Sequence, residues 1–108
     1  MKCFICGKEV ENPIPYCFSI SIYLFNKHIV EKDVLLHFCS EGCMKAFIFI
    51  EHNIFYNMPN IEKHLVEQHG FDYTDILFCV EWVNSKSEEE LSRILDKVLE
   101  VIGLRVKR

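Results

Sequence analysis

The chain has 108 residues, half of them hydrophobic, with a formal net charge of −4 and a pI near 5.7. That length suits one small domain, and the acidic balance disfavours a protein whose main work is coating nucleic acid, since a basic surface normally supplies that affinity. Lys8, Glu9 and Glu11 interrupt the apolar character too early for a secretory signal, and the longest uncharged stretch, Asn12 to Asn26, is shorter than the about 20 residues a membrane-spanning helix needs.

The first element is a ligand turn, Cys3-Phe-Ile-Cys6-Gly7. A Cys-x2-Cys followed by glycine suits a zinc knuckle: glycine accepts the left-handed backbone, and the turn aims N–H groups at the sulfurs. Residues 14 to 25 then alternate, with Phe18, Ile20, Ile22 and Leu24 on one face and Cys17, Ser19, Ser21 and Tyr23 on the other, which predicts a strand. A turn is expected between Asn26 and Asp33, and Val34 to Phe38 reads as the returning strand. The hairpin delivers the chain to a second pair, Cys39-Ser40-Glu41-Gly42-Cys43. Ser40 is a suitable N-cap for a helix from Glu41 to about His52. Cys43 falls in its first turn, where the helix field favours a thiolate.

Asn57-Met58-Pro59-Asn60 breaks the chain, and Asn60 and Gly70 bracket a short helix, Ile61 to His69. Tyr73 to Val83 contains the nearly continuous apolar run Ile76 to Val80 and reads as a strand covered on both faces. Ser87 with Glu90 forms a capping box for a helix whose Leu91, Ile94, Leu95, Val98, Leu99 and Ile102 make one apolar stripe. The stripe is a docking face; a dimer seam through the 87–102 helix is its alternative use. Leu104 to Arg108 reads as a short basic tail or edge strand.

Two cysteine pairs at these spacings supply the four thiolates of a closed tetrahedral Zn²⁺ site: Cys3, Cys6, Cys39 and Cys43. Such a site carries a formal charge of −2, which Lys2, Lys8 and Lys45 stand close enough in sequence to offset. His37 and His52 flank the second pair, and His64-x4-His69 has ligand spacing, so these four histidines are alternative ligands. Cys17 and Cys79 lie in strand-like segments and read as core thiols, with a disulfide between them left open.

Cys3-x2-Cys6-Gly7, with Phe38-Cys39-Ser40-x2-Cys43-x3-Phe47, resembles the TRASH/MYM-like group of treble-clef zinc fingers over about residues 1–50. The resemblance implies one structural Zn²⁺ on the four cysteines, and it covers proteins of metal handling, transcription and translation.

The expected fold is α+β: a treble-clef-like module of knuckle, hairpin and helix over residues 1–56, fused to a helix-strand-helix extension over 57–108, together one small domain. No Gly-rich phosphate loop, Gly-x-Ser-x-Gly elbow or His-Glu-x-x-His motif is present, so an enzyme is not expected. The expected function is a zinc-stabilised interaction module, an adaptor or regulator with a protein partner and no membrane association. Six cysteines without an export signal place it in a reducing compartment, the cytoplasm. The alternatives are a metal sensor or carrier, and a nucleic-acid binder using Lys2, Lys8, Lys45, Arg105, Lys107 and Arg108.

Overall fold

The computed structural model of the chain describes residues 1–55, 60–101 and 103. A long hairpin, β1 (Ile14–Leu24) and β2 (Lys27–Phe38), is followed by four helices: α1 (Glu41–Phe55), α2 (Ile61–His69), α3 (Tyr73–Asn84) and α4 (Glu88–Val101). The class is α+β in one domain, and among the described residues no helix is long and apolar enough to cross a membrane. The proposed tail contacts Arg105, Lys107 and Arg108, the tail strand, Ile102 and the break at 57–59 lie outside the described residues.

The hairpin runs from the pair Ile14↔Phe38 out to Leu24↔Lys27, with one register irregularity between Ile22 and Tyr23. Its turn is tighter than the sequence suggests. Phe25 and Asn26 both adopt left-handed backbone, φ 52° and 62°, so a two-residue loop suffices and the returning strand begins at Lys27 rather than Val34. The polar stretch from Lys27 to Asp33 still pairs, because a strand at the edge of the body needs no apolar alternation to keep its ladder. Ile20, Val34, Leu36 and Phe38 turn inward and are buried, with Tyr16 and Phe18 half-buried beside them. Beyond the irregularity the alternation no longer faces a core: Leu24, expected inward, is exposed.

α1 lies across the inner face. Ser40 caps it, its hydroxyl oxygen accepting from the Cys43 N–H at 3.3 Å. Ala46, Phe47, Ile48 and Ile50 are buried. The Phe47 ring stands 5.5 Å from Phe38, 5.6 Å from Phe4, 5.7 Å from Phe18 and 6.1 Å from Tyr16, joining ligand turn, hairpin and helix in one aromatic cluster.

α2 keeps its predicted bounds. Asn60 caps its start, Gly70 (φ 71°) ends it, and the Phe71 N–H reaches back to the Leu65 carbonyl at 3.1 Å while both side chains are buried.

The predicted strand at Tyr73–Val83 is instead helix α3, so the extension is wholly helical among the described residues. Asp72 accepts from the Asp75 N–H at 2.8 Å and donates its own N–H to the Asp75 carboxylate at 3.1 Å, a reciprocal cap. Ile76 and Cys79 are buried, and Trp82 and Val83 half-buried, at helical spacing. Leu77, Phe78 and Val80 are exposed; these outward apolar residues fill the gaps and disguise the period. Replacement of Asp72 by alanine is expected to lower stability by about 1–2 kcal/mol, read from the urea midpoint. Cys79 is a buried thiol, whereas Cys17 faces outward and is exposed rather than part of the core; both are free, with no disulfide between them.

α4 begins with its capping box, the Glu90 N–H on Ser87 Oγ at 3.1 Å and the Ser87 N–H on Glu90 Oε1 at 3.2 Å. Ile94 and Val98 from its stripe are buried in the common core. Lys32 of β2 donates to the Val101 carbonyl at 2.8 Å, tying the hairpin to the last turn of α4.

Candidate metal centre

The ligand turn is built by its backbone. The Cys3 N–H bonds the Lys8 carbonyl and the Gly7 N–H bonds the Cys3 carbonyl, both at 2.9 Å, with Gly7 at φ 74°. The Phe4 N–H donates to the His37 carbonyl at 2.8 Å, which fixes the turn to the end of β2, two residues before Cys39. Hairpin closure thus brings together residues far apart in sequence.

All four predicted thiols converge: the sulfurs of Cys3, Cys6, Cys39 and Cys43 lie within 4.8 Å of one another. Cys39 is the hub, 3.5 Å from Cys6 Sγ and 3.5 Å from Cys43 Sγ. Four sulfurs about 2.3 Å from a tetrahedral Zn²⁺ stand about 3.8 Å apart, a spacing that the two 3.5 Å separations and the 4.8 Å limit bracket. The arrangement is compatible with a zinc-finger-like module.

The thiols are not equivalent. Burial alone would push Cys3 up, but N–H groups of Cys6, Cys39 and Ile5 directed at its sulfur outweigh that and bring it down to about 7. Burial, then the neighbouring sulfurs, push Cys43 up to about 12. The N-terminal field of α1, expected to favour its thiolate, is therefore overridden by burial and, after it, by the crowding of like groups. Burial raises Cys6 as well. A divalent cation would reverse this order by binding all four as thiolates and releasing protons.

Cations beside this cluster also come from an unexpected part of the chain. Lys86, Arg93 and Lys97, from the end of α3 and from α4, line a cleft with Cys6 and Cys43. Lys97 Nζ donates to the Phe4 carbonyl at 3.0 Å and sits 5.6 Å from the Phe4 ring centre. Lys45 is held by Asp75 at 2.8 Å, and Lys2 and Lys8 are exposed on the turn. Charge offset by α4 could not be read from sequence neighbours.

The alternative histidine ligands are sorted by the fold. His37 stays in β2 opposite Pro15 and belongs to neither candidate ligand group. His52, His64 and His69 form a second group of their own, separate from the cysteines. Burial lowers the pKa of His52, and burial followed by the neighbouring imidazoles lowers that of His69. Beside them Glu51 is buried, which raises its carboxyl to about 7. Sequence spacing marked His64 and His69 as a pair, but only the packing of α1 on α2 supplies His52.

No known protein family, curated protein or solved structure matches this chain, so its resemblance to the TRASH/MYM-like fingers rests on the cysteine spacing and the residues around it.

Proposed function

We propose that the chain is a non-enzymatic, zinc-stabilised interaction module, a cytoplasmic adaptor or regulator that engages a protein partner through its hairpin tip. The four-cysteine cluster supplies the scaffold: with every coordination position filled by protein, the ion is structural. The observation that carries the reading is Phe25. Phe25 is 89% exposed, and its backbone is left-handed at φ 52°, a conformation that costs a bulky residue roughly 1–2 kcal/mol and that this turn would normally give to Asn or Gly. A strained residue that buries nothing within its own chain is best explained by what it buries elsewhere. Tyr23, Leu24 and Ile29 are exposed around it and extend the apolar tip. This surface suits an apolar pocket on a protein better than a phosphate backbone.

Phe25→Asn is expected to stabilise the isolated chain by about 1 kcal/mol, relieving the backbone strain. The same variant should lose a stoichiometric partner that the unaltered chain retains on gentle affinity capture from its native extract. A Phe25→Asn chain that melts earlier, or that keeps the partner, would overturn the reading.

A further inference from the structure

His52 lies in the last turn of α1, nine residues beyond Cys43, or about 13 Å along the helix axis from the thiol cluster. His69 ends α2, and His64 stands one turn earlier. The three rings form a nearly equilateral triangle, with centres 5.0, 4.7 and 5.1 Å apart. Three imidazoles on a tetrahedral Zn²⁺, with Zn–N about 2.0–2.1 Å, would place their ring centres about 5.2 Å apart. One ligand atom from each histidine already lies within 4.8 Å of the others.

Three further features favour a cation here. His52 Nδ1 is 2.8 Å from the Ile48 carbonyl, which can only accept; the proton is therefore on Nδ1 and the lone pair on Nε2, as in a metal-binding imidazole oriented by an outer hydrogen bond. The C-terminal ends of α1 and α2 meet at the cluster, and helix C-termini carry partial negative charge. Finally, Glu51 is 2% exposed, its Oε1 is 3.6 Å from His52 Nδ1, and its Oε2 has no hydrogen-bond partner among the described residues. A buried carboxylate in that position gains from a neighbouring positive ion.

We propose that His52, His64 and His69 form a second metal site, which binds one Zn²⁺ through three imidazoles and leaves its fourth position to water or another small ligand. Unlike the tetrathiolate, this site is open and can exchange its outer ligand.

Native mass spectrometry of the full chain, loaded with Zn²⁺ and freed of excess ion, should count two ions per chain. The His64→Gln/His69→Gln double variant should count one. His69→Gln alone, at the last residue of α2, should also retain one and serves if the double variant fails to fold. Co²⁺ loading separates the two sites: sulfur-to-metal charge transfer reports the cysteines and should be unchanged in the variants, while the difference spectrum should show only ligand-field bands. One ion in the unaltered chain with full charge transfer would overturn this proposal and leave the tetrathiolate standing. Absence of the charge-transfer band would count against the tetrathiolate instead. Two ions in both the unaltered and variant chains would place the second ion elsewhere and equally overturn the proposal.

Discussion

Replacing Cys39 by serine is expected to unfold the first half of the chain at ordinary temperature, and a strong zinc chelator should do the same to the unaltered protein. Cys39 touches two of the other three sulfurs, at 3.5 Å each, and it joins the end of the hairpin to the cap of α1. Serine nearly preserves the shape, so what is lost is the thiolate. Structural Zn²⁺ in small modules contributes about 10–16 kcal/mol of folding free energy, against a typical net domain stability of about 5–15 kcal/mol. Loss of even half the metal term therefore leaves little margin. The far-UV circular dichroism spectrum and melting curve report the outcome; a curve unmoved by either treatment would show that the four sulfurs pack together without holding an ion that matters to the fold.

Phe47→Ala should cost about 3–5 kcal/mol, the second largest effect. The side chain is fully buried, and its ring meets four others drawn from the ligand turn, both strands and the inner face of the hairpin. Truncation leaves a hole between rigid elements that cannot easily collapse. The guanidinium midpoint should fall with the slope unchanged. A loss below about 1 kcal/mol would mean that the hairpin does not rely on this contact and that the metal term alone fastens it to α1.

What the sequence displayed best were features with local chemistry. The two cysteine pairs, the caps at Ser40, Asn60 and Ser87, and the stop at Gly70 each act over a few residues, and the structure keeps all of them. Patterns that depend on tertiary surroundings were harder to read. In α3 the exposed Leu77, Phe78 and Val80 erased the helical period, although Asp72 and Asp75 carried a cap signal that outweighed it. The hairpin turn was hidden because Phe25 is a residue that turn chemistry does not favour. His52 joins His64 and His69 only through helix packing, and Lys86, Arg93 and Lys97 share a cleft with Cys6 and Cys43 although they lie far along the sequence. No spacing rule covers such distances.

The hydrogen bond from Lys97 to the Phe4 carbonyl has a mechanical meaning. Phe4 sits between Cys3 and Cys6, so α4 is strapped to the turn that carries two of the four candidate ligands. By linkage, whatever holds that loop also holds α4, and whatever lifts α4 slackens the grip. With an ion bound to the four sulfurs, fraying of α4 would favour its loss and its loss would favour fraying, a coupling observable from either partner.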